Sequence, residues 1–203
     1  TLDVSDVGTV DLGSLAGLSG LTSLTLTLRD TKRVDLEPLA GLSRLTSLVL
    51  DLHPWDHEPV DLEPLAKLRG LTSLRLNLSG GIVDLSPLAG LSGLTSLRLD
   101  SWRGAGGDLT LLSELSQLTA LELHVGGIGA KGLSWLAGLS QLTSLKLWLQ
   151  ATVASLAPLS ALKQLRSLEL RASVEADLSP LAELSGLTSL WLVPPAGRAA
   201  ELG

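Results

Sequence analysis

Few side chains in this sequence have the makings of chemistry, and most of those that do sit in gaps between runs of leucine. His53, Asp56, His57 and Glu58 fall within one short stretch, and two imidazoles with two carboxylates could coordinate a divalent metal. Ligands on a loop have no preset geometry, so the plainer reading is a polar loop around Trp55, and no metal is expected. Gly127-Ile128-Gly129-Ala130-Lys131-Gly132 matches the spacing of a dinucleotide-binding turn. The segment after it is too short for a phosphate-binding helix, and no doubly wound unit surrounds it, so the match reads as accidental and no cofactor is expected. Asn77-Leu78-Ser79 is a glycosylation triplet, but its asparagine falls in a strand pattern, and chance accounts for it. There is no cysteine for a thiolate nucleophile or a metal site, and only three histidines are available as general bases. The serines mostly occupy repeated positions, as scaffold serines do. No nucleophile, base and acid converge, so no catalytic residue is assigned and the chain is expected not to be an enzyme.

The elements around these residues are far more regular than the residues themselves. The pattern written as Val83-Asp84-Leu85-Ser86-Pro87-Leu88 and onward to Asp100 recurs eight times, beginning at Val10, Val34, Val60, Val83, Gly107, Gly132, Ser155 and Ala176. Aligned on Leu12, Leu36, Leu62, Leu85, Leu109, Leu133, Leu156 and Leu178, successive copies are 22 to 26 residues apart. That spacing fits leucine-rich repeats and excludes the longer helical repeats. Two periods alternate within a copy. Leu74, Leu76 and Leu78 fall on every second residue, which makes a strand with one face inward. Leu62, Leu65, Leu68 and Leu71 fall three apart, which fits a short 3₁₀ segment. Pro64 suits the first turn of that segment, as do Pro38, Pro87, Pro158 and Pro180. Asp35, Asp61, Asp84 and Asp177 stand where they would cap it. The expected fold is therefore α/β: a right-handed leucine-rich-repeat solenoid with one parallel sheet and short 3₁₀ or helical turns on the opposite face. It forms a single domain over 1–203, with a partial first repeat at 1–9, eight repeats over 10–193 and a tail at 194–203. Nine strands are expected, counting the partial first one.

Composition agrees. Leucine fills 55 of 203 positions, and Phe, Tyr and Met are absent. A core of one side-chain shape needs a regular lattice to pack in, and identical turns supply it. The net charge of −6 is mixed and holds no long basic run, which argues against nucleic acid as the partner. No apolar run is long enough for a transmembrane helix, so no membrane insertion is expected.

The stretch from Asp84 to Leu99 resembles the bacterial leucine-rich repeats of the internalin type, and the resemblance runs from Val10 to Leu192. It implies a solenoid that binds another protein. One departure stands out. Such arrays usually carry an asparagine after each strand whose side chains form a ladder, whereas Asn77 is the sole asparagine here. A third inward leucine takes its place at Leu28, Leu52, Leu78 and Leu149. A longer strand without an asparagine ladder is expected, with the repeated Thr-Ser pairs before each strand, as at Thr46-Ser47 and Thr72-Ser73, as a substitute.

In an array the repeated residues build the scaffold, so specificity lies in what varies. One outward column runs Thr25, Val49, Arg75, Arg98, Glu122, Lys146, Glu169 and Trp191. Its neighbour runs Thr27, Asp51, Asn77, Asp100, His124, Trp148, Arg171 and Val193. Both columns begin small and turn charged and aromatic. The expected partner-binding residues are Arg75, Arg98, Asp100, Trp102, Glu122, His124, Lys146, Trp148 and Arg171, with an exposed Trp148 as anchor. The expected role is a protein-binding or sensor module that meets a macromolecular partner through this face and its adjoining loops. Two other readings are a structural array that self-associates through uncapped ends and an engineered scaffold without a natural ligand. The irregular loop at His53–Glu58 speaks against the last. Neither end carries a recognisable cap, which suggests a piece of a longer protein or one whose ends are covered by something else.

Overall fold

The computed structural model describes residues 2–5, 9–31, 33–54, 60–78, 84–101, 109–126, 132–153, 155–174 and 177–193. Its main feature is a nine-stranded parallel sheet. The strands are β1 (Leu2–Ser5), β2 (Ser23–Thr31), β3 (Ser47–Pro54), β4 (Ser73–Leu78), β5 (Ser96–Ser101), β6 (Ala120–Val125), β7 (Ser144–Val153), β8 (Ser167–Val174) and β9 (Ser189–Val193). Each pairs with the next in chain order, as one right-handed coil after another requires. A separate two-residue parallel pair joins Thr9–Val10 to Arg33–Val34.

A 3₁₀ segment lies between successive strands, and the leucine spacing explains it. In the third full turn the amide of Leu65 donates to the carbonyl of Leu62 at 2.9 Å, Leu68 to Leu65 at 3.0 Å and Leu71 to Leu68 at 3.0 Å. Leucines three apart are thus both the hydrogen-bonding and the inward-facing positions. The prolines fall at the first positions of five of these segments. The aspartates cap them as expected, one residue before the formal cap. Asp35, Asp61 and Asp84 accept the amide two residues on at 2.9, 2.9 and 2.8 Å, and Asp11 and Asp177 do the same at 2.7 and 2.8 Å. The turn around Ser134–Gly138 packs its backbone tightly on its neighbour, because a Cβ on Gly138 would sit 2.9 Å from the Ser113 carbonyl.

The asparagine ladder is replaced by a threonine ladder. The hydroxyls of Thr46, Thr72, Thr95, Thr119 and Thr143 each donate to the carbonyl of the threonine one turn earlier, at 3.0 to 3.1 Å. Two backbone amides share each carbonyl, as when Thr46 and Ser47 donate to Thr22 at 2.9 and 3.1 Å. Arg166 occupies the threonine position of its turn, so the Thr143 carbonyl receives only the Arg166 and Ser167 amides there. The ladder resumes with the Thr188 hydroxyl on the Arg166 carbonyl at 3.0 Å.

The core is continuous. The buried leucines from Leu12 to Leu184 form one cluster through every turn. Leu62, Leu65, Leu68, Leu71, Leu74, Leu76 and Leu78, all from one turn, are at most 2% exposed. The third inward leucines Leu28, Leu52, Leu78 and Leu149 are at most 5% exposed. Each fully buried leucine contributes on the order of 1.5–3 kcal/mol, and only because neighbouring turns cover it. Trp135 stands at the proline position of its turn and is 3% exposed.

Candidate functional site

Parallel pairing in register places the variable residues side by side on the outward face of the sheet. Arg75 lies opposite Arg98, and Asn77 opposite Asp100. Arg98 lies opposite Glu122, and Asp100 opposite His124. Glu122 pairs with Lys146, and His124 with Trp148. Lys146 pairs with Glu169, and Trp148 with Arg171. Two continuous rows result because each strand alternates faces and, from β2 to β9, every strand starts at the same phase of its repeat.

These rows are wired together at their centre. The Arg98 guanidinium donates through Nε to Asp100 Oδ2 at 2.8 Å and through Nη1 to Glu122 Oε1 at 2.7 Å. On the other side of Asp100, Oδ1 lies 2.5 Å from His124 Nδ1. His124 Nε2 lies 3.1 Å from Glu122 Oε1. The His124 ring stacks on the Trp148 indole, centroids 4.2 Å apart and planes 12° from parallel. Trp148 Nε1 donates to Glu169 Oε1 at 2.8 Å. The Arg171 guanidinium carbon sits 5.6 Å from the centre of the Trp148 ring, within cation–π range. Lys146 Nζ lies 3.5 Å from Glu169 Oε2.

Two of the residues expected to meet the partner are covered by their neighbours. Asp100 and His124 face outward, yet each is only 4% exposed. Charged and polar neighbours close over them, which is tolerable because both are paired. Trp148 is likewise half-buried rather than free, clamped between the His124 ring and Arg171. Burial is the largest influence on His124 and pulls its pKa below the ordinary value of 6.5, against the opposing pull of Asp100 and Glu122. For Arg98, burial works against the charge, but the Asp100 and Glu122 carboxylates more than offset it and hold the pKa above the usual arginine value.

Of the other expected contacts, Arg75 and Arg171 are exposed, and Lys146 and Glu122 are half-buried. Trp102 lies outside the described residues, as do Trp55–Glu58 of the histidine loop and Gly127–Lys131 of the glycine motif. His53 is described, and its Nε2 lies 2.7 Å from Asp51 Oδ1. Gly132 is left-handed with φ +57°, the backbone of a tight turn entering the 3₁₀ segment. Among the described residues, no group of three acidic or histidine side chains is arranged to hold a metal, and no helix is long and apolar enough to cross a membrane.

Glu169 is the residue that sequence reasoning left out of the site. It receives both the Trp148 indole and Lys146. Its place between Lys146 and Trp191 in the outward column was the available signal.

No protein-family model matches the sequence, and no curated protein does. Solved structures do match. An internalin (inlF) from Listeria monocytogenes is 28% identical with a TM-score of 0.70, and the alignment covers 91% of this chain and 52% of that one. This chain therefore spans about half the length of that internalin. Internalin C2 (inlC2) from the same species is 29% identical with a TM-score of 0.67, covering 93% of this chain and 76% of that one. The leucine-rich-repeat ectodomain of the plant membrane receptor kinase GASSHO1/SCHENGEN3 from Arabidopsis thaliana, solved in complex with CASPARIAN STRIP INTEGRITY FACTOR 2, shares the fold. It is 21% identical with a TM-score of 0.62, covering 94% of this chain and 23% of that one.

Proposed function

The chain is an internalin-like leucine-rich-repeat array, and we propose that it is a non-enzymatic protein-binding module whose outward sheet face meets a macromolecular partner. The observation that carries this reading is the contrast between a scaffold repeated turn after turn and two outward rows whose residues vary along the array. The contact residues are Arg75, Arg98, Glu122, Lys146, Trp148 and Arg171, with Asp100 and His124 beneath them as positioning residues. Trp148 is the anchor. Its ring is fixed by stacking on His124 and by the hydrogen bond to Glu169, so little side-chain entropy remains to be lost on binding. A sensor role and a contribution from the loops at Trp102 and at His53–Glu58 belong to the same reading. The plant ectodomain solved with CASPARIAN STRIP INTEGRITY FACTOR 2 lends it support by fold alone.

Site-specific photo-crosslinking tests it. A crosslinker at Lys146 is expected to capture the partner, and one at Glu63 on the 3₁₀ side is not. Capture from Glu63 alone, or equally from both, would sink the assignment of the face.

A second reading rests on the last described turn. Leu178 and Leu190 are each 48% exposed and Trp191 is 61% exposed, an apolar surface that a second copy would cover. Sedimentation across a concentration series decides this reading, and a constant monomer mass would end it.

A further inference from the structure

We infer that the outward face is built for an acidic, extended protein segment with carboxylates about six residues apart on either side of an apolar side chain. This inference rests on the proposed binding face and adds the chemistry of the partner.

It begins from charge that is left over. Although the whole chain carries a net charge of −6, the carboxylates in the charged part of the face are already engaged. Asp100 is held by Arg98 and His124. Glu122 is held by Arg98. Glu169 takes the Trp148 indole on one oxygen and has Lys146 near the other. Among the described residues, two guanidiniums have no such match. Arg75 is exposed, its neighbours in register are Val49 and Arg98, neither of them a carboxylate, and Asp51, diagonal to it on β3, is held by His53 at 2.7 Å. Arg171 is exposed, and its neighbours in register are Trp148 and Val193. The nearest carboxylate on its own strand, Glu169, is the one already taken. From β4 to β8 the face therefore carries Arg75, Arg98, Lys146 and Arg171 against the carboxylates Asp100, Glu122 and Glu169, a surplus of one positive charge on a protein that is negative overall.

The geometry of the surplus is fixed by the sheet. Arg75 is on β4 and Arg171 on β8, four strands apart in the sheet order. At about 4.8 Å per strand the two guanidinium-bearing residues stand roughly 20 Å apart. An extended chain advances about 3.3 Å per residue, so a segment crossing the strands spans that gap in about six residues. Between them lies the Trp148 indole, pinned flat on His124. A planar fork at each end suits carboxylates, and the part of the ring left open between His124 and Arg171 suits an apolar side chain between them. A nucleic-acid backbone fits less well, because the Asp100, Glu122 and Glu169 carboxylates lie along its path.

A displayed library of random twelve-residue peptides, selected on the whole chain, tests this. The enriched sequences are expected to carry acidic residues five to seven positions apart around an apolar one. A synthetic peptide of the enriched consensus is expected to lose at least tenfold in affinity against Arg75→Glu combined with Arg171→Glu. The same peptide with lysine at its acidic positions is expected not to bind the unmodified protein and to recover binding on the charge-reversed one. Both arginines are exposed, and unchanged circular dichroism of the variant guards against a folding artefact. Enriched peptides without acidic bias, indifferent to charge reversal but lost on Trp148→Ala, would overturn this inference and leave the binding face standing. Peptides that survive all three substitutions would overturn both, and a library that enriches nothing would overturn this one.

Discussion

The two exposed flanks of the array both carry ion pairs of similar length, yet the pairs differ in kind. On the 3₁₀ flank Lys67 meets Glu37 at 2.7 Å and Lys163 meets Glu183 at 3.0 Å, with all four side chains more than half exposed. On the sheet flank the Arg98, Asp100 and His124 side chains are 31%, 6% and 5% exposed. Water screens the first set, so each pair is worth about 0–1 kcal/mol and its members move independently. The second set is shielded and shares acceptors, so moving one member strands another. Distance alone does not tell a decorative charge from a positioned one. Burial does, and the sheet flank is where the chain spends its buried polar groups.

Substitutions can break or sharpen that contrast. The largest effect belongs to what both flanks share. Leu97→Ala, at a position 1% exposed in mid-array, is expected to cost about 2–5 kcal/mol, read as a lower denaturant midpoint. A loss below 1 kcal/mol would mean that the turns are not mutually supporting. Asp100→Ala comes next, at about 1–3 kcal/mol, because it leaves Arg98 and His124 without their shared acceptor. Proton titration by NMR is expected to show the His124 pKa dropping further in Asp100→Asn, since a carboxylate that favours the imidazolium has gone.

The pH dependence follows from the same residue. The folded His124 holds its proton less tightly than the ordinary value of 6.5. Between the two values the unfolded chain binds more protons, so stability is full above 6.5 and declines as pH falls through the folded value. His124→Gln is expected to flatten this decline, and an equally steep decline would exonerate the residue. A separate loss is expected in stronger acid. The Ser86 amide and hydroxyl hold Asp84 below its ordinary 3.8, and the Ser179 hydroxyl and amide do the same for Asp177. Their contribution is present above 3.8 and disappears as pH falls through the lowered values.

The smallest effects test the spine and the exposed flank. Arg166→Thr restores a missing hydroxyl and is expected to add about 0.5 kcal/mol, detectable as a small rise in midpoint. Lys67→Ala is expected to change stability by about 0.5 kcal/mol or less. A cost as large as that of Asp100→Ala would erase the distinction between the flanks.

The architecture was legible because every turn repeats the same physics. Leucines three apart and then two apart translate into a 3₁₀ segment and a strand, and the outward rows follow from counting along each copy. The threonine ladder was legible too, since Thr-Ser recurs at one phase. What counting missed was depth. Whether Asp100 and His124 lie under or on the surface depends on how far Arg98 reaches and where the Trp148 ring settles, and both are relations between turns. Glu169 escaped for the same reason, because an acceptor is defined by the donor that finds it. The loop residues Trp102 and Trp55–Glu58 follow no repeat, so neither period constrains them.

The absent hydroxyl at Arg166 gives the spine one weak seam. Elsewhere in the threonine register, from Thr22 to Thr143, adjoining coils are stitched by two amides and a side chain, but at that position the join between β7 and β8 has amides alone, and its side-chain bridges lie on the outward face, where Trp148 and Lys146 meet Glu169. With the hydroxyl missing, Glu169 carries the side-chain stitching of this join, so in Glu169→Ala the amides beyond residue 155 are expected to exchange as one early-opening block, separate from those before it. That seam passes directly under Trp148 and Arg171, which face each other across it. A ligand spanning the two would act as a splint, and slower exchange beyond the seam would be its signature.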